Sequence, residues 1–252
     1  NYATPYGNPH ISYEFNHYLN AANGMPAAVH YLHPDAATRD TEVVAHVSGG
    51  VSFYNYTAHG NEVCFGDPYF SIANIDALGN SGRYPLVIGN CCLTGSFGTD
   101  ECFGEAWLNA PNKGAVGYIG ASMSTSWRPD LVMGVGTYAA YNNPSPPLSQ
   151  SEPGMIDGCM MGDYPTQAAL KHVGLLAVEN DGGSLVNHYW LSFHLFGDPS
   201  LMIHLGIPTP QTATHDPTVT PGTTSYQVTT TPGAYVALVD DSGVLHGAAV
   251  AN

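Results

Sequence analysis

Val51-Ser52-Phe53-Tyr54-Asn55-Tyr56 runs into Thr57-Ala58-His59-Gly60, and Tyr84-Pro85-Leu86-Val87-Ile88-Gly89 runs into Asn90-Cys91-Cys92. Each is a short apolar run leading into a loop, the pattern of a buried strand. Between them, Ile72, Ile75 and Leu78 fall three apart across residues 71–78, as on one face of a helix. Strand, helix and strand in that order predict parallel neighbours in one sheet. In an open parallel sheet, side chains just past the carboxyl ends of neighbouring strands converge on one edge, where ligands bind. His59 and Cys92 hold those places, 92 − 59 = 33 residues apart. A thiol beside an imidazole is a nucleophile with its general base. His before Cys is the reverse of the papain order, which disfavours a papain-type reading.

With twelve His and five Cys in the chain, a merely structural pair is the alternative reading. Two details favour chemistry. Gly60, lacking a side chain, lets its backbone N–H approach a substrate oxygen. Cys92 is followed by Leu93-Thr94-Gly95-Ser96, a loop rather than a buried helix, and reactive cysteines occupy partly exposed sites.

Outward from this pair, residues 9–22 have helical spacing with Pro9 near the start, residues 101–110 read as the next helix and residues 115–119 as the next strand. The alternation predicts an α/β domain whose mostly parallel sheet is covered by helices on both faces. Residues 142–153 carry four prolines and read as a surface loop, and residues 166–180 as a helix. Residues 206–222, rich in Pro and Thr, mark a linker. After it, residues 225–228, 235–239 and 244–250 alternate like antiparallel strands, with Asp240-Asp241-Ser242-Gly243 as a turn. The domain division is therefore 1–205 and 206–252. The second segment supplies at most half of a β-sandwich, which needs about seven strands.

The net charge of −15 comes from 20 Asp and Glu against 5 Lys and Arg, with 10% charged residues against a usual figure of about 25%. Bases are short rather than acids abundant. A nucleic-acid partner is disfavoured, since phosphate binding needs clustered Lys and Arg. Proximity to a protease cutting after Lys or Arg would explain the shortage; so would a Gly-, Tyr- and Asn-rich secreted composition. No apolar run of about 18 residues is present to span a membrane. The cysteines (Cys64, Cys91, Cys92, Cys102, Cys159) are odd in number and include an adjacent pair, so no disulfide framework is read and at least one thiol is free or intermolecular. The chain starts at Asn1 without a signal-like segment and reads as a processed or partial chain.

Asn55-Tyr56-Thr57-Ala58-His59-Gly60, Ile88-Gly89-Asn90-Cys91-Cys92, Glu101-Cys102-Phe103-Gly104-Glu105 and Phe196-Gly197-Asp198-Pro199-Ser200 together resemble the gingipains, secreted bacterial cysteine peptidases of the caspase-like clan, over about residues 8–205. The resemblance implies a caspase-like sheet domain followed by part of an immunoglobulin-like domain, and an extracellular cysteine endopeptidase acting on protein or peptide substrates. It implies Cys92 as nucleophile, His59 as general base, and the N–H groups of Gly60 and Cys92 as oxyanion hole. By the same resemblance, Trp127 walls the P1 slot, and Asp130 and Thr57 match pocket residues of the lysine-specific branch. Lys at P1 is then preferred to Arg. Arg128 departs from the family and would spoil the slot if it turned inward. Glu105 resembles a structural calcium ligand, with the Phe97 carbonyl as its partner. Asp198 reads as a turn cap instead. The acidic residue that orients the catalytic His in the lysine-specific branch is expected before Asn1. An N-terminal chain of the same precursor would then complete the sheet and the site. Two other functions remain: a sortase-like transpeptidase with the same nucleophile and base, and a catalytically silent surface or assembly scaffold.

Overall fold

The structure is a computed structural model describing residues 3–98, 100–148, 152–162, 164–203, 205 and 210–252. In chain order the first part contains helices α1 (Asn8–His17) and α2 (Asp40–Gly49), then strand β1 (Phe53–Tyr56) and a small antiparallel sheet of β2 (Gly60–Asn61), β3 (Cys64–Gly66) and β4 (Tyr69–Ser71). Next come α3 (Ile72–Asp76), β5 (Leu86–Gly89), α4 (Phe103–Asn109), β6 (Gly117–Ala121), α5 (Trp127–Val135), α6 (Met155–Met161), α7 (Gln167–Asp181), α8 (Val186–Ser192) and β7 (Phe193–Gly197). The main sheet has the order β1-β5-β6-β7; the first three strands are parallel and β7 runs antiparallel to β6.

Period-two alternation decides which face each residue serves. Leu86 and Ile88 of β5, with Ile119 and Ala121 of β6, pack with Met133, Met155, Leu170, Leu175, Val178 and Tyr189 of α5 to α8. Val87 and Tyr118 point the other way and pack with Val43, Val47, Phe65, Phe70, Ile75, Phe103 and Trp107. Helix α1 packs against α5 through Tyr13, Leu131 and Val135. Trp107 is fully buried and stacks on Phe70 with centroids 5.3 Å apart. Trp107→Ala is expected to cost about 3–5 kcal/mol, read as a lowered urea midpoint with an unchanged slope. An unchanged midpoint would contradict this packing.

Several predicted boundaries shift for local reasons. Helix α1 ends at His17 rather than at residue 22, because the Asn20 side chain donates to Phe15 O (2.7 Å) and accepts from Asn23 N–H, closing a separate short turn. Helix α4 starts at Phe103 rather than at residue 101, since Glu105 accepts from the Cys102 N–H (2.9 Å) and fixes the start there. Strand β6 begins at Gly117 rather than at residue 115, because the Ala115 N–H donates to Trp107 O (2.9 Å). The five cysteines are free. Asp198 caps a turn, accepting from the Ser200 N–H and hydroxyl (2.8 and 2.7 Å).

Contacts divide the chain into Asn1–Leu205 and Gly206–Asn252. The second unit holds β8 (Thr214–His215) paired with β9 (Val228–Thr229), and an antiparallel hairpin of β10 (Tyr235–Val239) and β11 (Leu245–Val250). The strand expected at 225–228 is only its last residue plus Thr229. Among the described residues no helix is long and apolar enough to cross a membrane.

Candidate active site

Register places the two candidate loops side by side. Tyr56 pairs with Gly89 across parallel strands β1 and β5, so His59 (59 − 56 = 3) and Cys92 (92 − 89 = 3) each follow the paired strand ends by three residues. The His59 carbonyl is held from two directions, accepting from the Tyr56 hydroxyl (2.6 Å) and the Gly66 N–H (2.9 Å). Its ring is left exposed, with Trp127 edge-on at 5.2 Å. Gly60 is tight against the second loop. A Cβ there would meet Cys91 Sγ at 2.6 Å and the Cys92 carbonyl at 2.9 Å, so only glycine allows the two loops to approach this closely.

Cys91 and Cys92 differ in burial and in hydrogen-bond partners. Cys91 is fully buried, and desolvation raises its thiol well above the ordinary range. Cys92 is partly exposed and accepts the Thr125 N–H at Sγ (3.2 Å). The next residue, Leu93, has φ +63°, a left-handed conformation costing about 1–2 kcal/mol in a non-glycine residue. It is held there by a bond from its N–H to Met123 O (3.2 Å), and the Gly95 N–H to Ala121 O (2.8 Å) ties down the same turn. The turn carries the chain away directly after Cys92.

The third wall comes from the segment after β6 and the first turn of α5. Trp127 opens that helix and Asp130 lies in its first turn, 5% exposed. Its carboxylate accepts from the Thr125 hydroxyl at Oδ2 and the Tyr189 hydroxyl at Oδ1, both at 2.7 Å. Its carbonyl accepts from the Asn90 side chain (2.7 Å), tying the helix start to the loop that holds Cys92. Burial pushes the Asp130 carboxyl up to about 7, against the lowering effect of the two hydroxyls. Between the unfolded value near about 4 and this one, the folded state binds more protons, so this group's contribution to stability falls as pH rises through that window and stays reduced above it. Asp130→Asn is therefore expected to raise stability at pH 8 by up to roughly 4 kcal/mol and to change it little at pH 4. Thermal unfolding midpoints check this; a midpoint lowered at pH 8 would contradict it.

Arg128 turns away from the slot. Its Nε and Nη2 grip Asp181 at 3.1 and 2.9 Å, and its guanidinium lies 4.0 Å over the Tyr138 ring. Thr57 lines a cavity of about 180 Å³ along β1, walled also by Val29, Tyr31, Val47 and Tyr54. Glu105 and Phe97 lie apart in role: Glu105 caps α4, and the exposed Phe97 ring meets His194 edge-on at 4.9 Å. Calcium takes about six to eight oxygens. Among the described residues no group of three or more His, Cys, Asp or Glu is gathered together. Thr125, Tyr189 and the Asn90 side chain complete the site without having been singled out in the sequence. Asn90 stands in the Ile88-Gly89-Asn90-Cys91-Cys92 motif; the other two carry no signal of their own.

These features can be set beside known proteins. The model of peptidase family C25 matches residues 5–204. Lys-gingipain W83 of Porphyromonas gingivalis is 34% identical over 254 residues, covering 98% of this chain and 14% of that protein. Gingipain R1 of the same organism is 24% identical over 230 residues, covering 86% of this chain and 21% of that protein. A solved protease structure superposes with TM-score 0.82 at 33% identity, covering 100% of this chain and 57% of that one. The Arg-specific cysteine proteinase gingipain R shares the fold, with TM-score 0.66 at 22% identity, covering 84% and 47%. The caspase-like α/β sheet is thus common to all of them, while this chain spans only a small part of the Lys-gingipain length. A parallel sheet delivering His59-Gly60 and Cys91-Cys92 to one edge, and a family match spanning nearly all of the first unit, lead to one conclusion: the chain belongs to peptidase family C25.

Proposed function

We propose that this chain carries the nucleophile and base of a secreted cysteine endopeptidase that cuts after a basic residue, Lys in preference to Arg. The observation that supports the reading is the paired register of Tyr56 and Gly89 on parallel neighbouring strands, since His59 and Cys92 each follow these strand ends by three residues. In the proposed reaction His59 takes the thiol proton and Cys92 Sγ attacks the scissile carbonyl. The oxyanion so formed is held by the Gly60 and Cys92 N–H groups, a donor of this kind being worth about 2.7–4 kcal/mol in the transition state. His59 then gives its proton to the leaving amine as the C–N bond breaks, leaving a thioester. Water, deprotonated by His59, attacks the thioester and releases the acid and the thiol.

The preference for a basic side chain rests on Asp130, a buried carboxylate in the first turn of the helix that Trp127 opens; Thr57, which lines the cavity along β1, enters the reading only through the family resemblance. A bound ammonium favours the ionised carboxylate, and such charge-assisted pairs select cations. A polypeptide partner is also proposed. Strand β1 is the outer strand of the sheet, and the cavity along it is lined by apolar side chains such as Val43, Val47 and Phe53. That slot suits a further extended segment from an N-terminal chain of the same precursor, which would also orient His59. The test is a peptide panel with Lys, Arg or Leu at P1, cut sites being read by mass spectrometry. Higher kcat/KM after Lys than after Arg supports the reading. Equal rates after both would remove the Lys preference, and no cleavage would remove the peptidase.

A further inference from the structure

Thr125 touches both the candidate nucleophile and the candidate specificity carboxylate. Its backbone N–H donates to Cys92 Sγ (3.2 Å), and its hydroxyl donates to Asp130 Oδ2 (2.7 Å). It sits in the short segment between β6 and α5, whose next residue, Ser126, donates its N–H to the Tyr189 hydroxyl (2.9 Å). Tyr189 in turn donates to Asp130 Oδ1. The hydroxyl and the N–H of Thr125 belong to one residue, so what fixes the first also fixes the second.

We propose that Thr125 is a positioning residue that couples occupation of the Asp130 slot by a cationic side chain to activation of the Cys92 thiol. The inference rests on the peptidase reading for its biological meaning. A hydrogen bond to a thiolate is stronger than one to a thiol, because the acceptor is charged. With the slot empty, the desolvated carboxyl is in part protonated, and a protonated oxygen can reverse its bond to the Thr125 hydroxyl. A bound ammonium holds the carboxylate ionised. The Thr125 hydroxyl is then a committed donor, and its N–H stays aimed at sulfur. Among the described residues, Tyr189 from α8 donates to this carboxylate and the Cys91 thiol, from the loop after β5, lies within its field. Arg128 on the same helix is drawn off by Asp181. Basic side chains are thereby selected in the chemical step as well as in binding, which is where discrimination raises kcat.

The experiment follows alkylation of Cys92 by iodoacetamide between pH 5 and 9, with and without saturating n-butylamine as a stand-in for a lysine side chain. In the natural protein the amine is expected to accelerate alkylation near neutral pH by about tenfold and to shift the rate profile to lower pH. Thr125→Val keeps the backbone N–H and loses the hydroxyl, so the acceleration should vanish; Thr125→Ser should retain it. If the valine variant does not fold, Thr125→Ala gives the same contrast. Direct attraction between ammonium and thiolate would accelerate the valine variant equally, and that result overturns the proposal. So does a serine variant that behaves like valine, or a natural protein indifferent to the amine. Failure of a lysyl affinity label on the natural protein would instead overturn the peptidase reading, leaving the iodoacetamide comparison to judge Thr125.

Discussion

Replacing Cys92 by alanine is expected to reduce peptide cleavage by at least about 10⁴-fold, the scale on which a covalent nucleophile is lost. His59→Ala should fall by a comparable factor, and the double variant little further, because the two act as one unit. Cys91→Ala is the decisive control. Its thiol is buried beneath Gly60 and raised in pKa by desolvation, so it has neither the access nor the charge of a nucleophile. The control should keep its activity while losing some thermal stability. If Cys91→Ala is inactive and Cys92→Ala is active, the roles given to these neighbours are wrong. A structure of the variants is unnecessary, since kcat/KM on one peptide with Lys at P1 separates the outcomes.

The second large effect concerns Asp130. In the asparagine variant, kcat/KM for a Lys peptide should drop by about 10²–10³-fold, the consequence of leaving one partner of a buried charge pair alone. Cleavage of a peptide with an uncharged P1 residue should change far less. The same variant is expected to be the more stable protein at neutral pH, since it no longer holds a desolvated carboxylate. Greater stability with lost selectivity marks a group kept for function at a structural cost. Equal loss on charged and uncharged peptides would mean that Asp130 only shapes the start of α5, through its contacts with Thr125 and Tyr189.

The sheet was legible because its central strands are short, continuous apolar runs. Residues 86–89 and 117–121 are buried on both faces, and only such runs survive there. His59 and Cys92 followed from the strands that end just before them. The small β2–β4 sheet was not legible, since two- and three-residue strands have no period to detect. Helix α5 went unread although Ser126 precedes it, Pro129 sits in its first turn, and Asp130 follows, which are ordinary start signals. Strand β7 is not legible either: it pairs antiparallel to β6 after helices α5 to α8, and its Phe196-Gly197 end reads as part of a motif. Thr125 and Tyr189 are brought onto Asp130 by tertiary packing alone. Ser126 and Tyr189 are 63 positions apart, and no local pattern pairs them. The same packing turned Arg128 outward onto Asp181 and Tyr138, which the sequence could not decide.

The most direct measurement of the central claim is mass spectrometry of the natively purified protein after reaction with a lysyl acyloxymethyl ketone and, separately, its arginyl analogue. The account predicts that the lysyl reagent modifies Cys92, that the arginyl reagent does so more slowly, and that Cys64, Cys91, Cys102 and Cys159 stay unmodified by both. Modification of a different cysteine, or no modification by either reagent while iodoacetamide labels Cys92 freely, would contradict it.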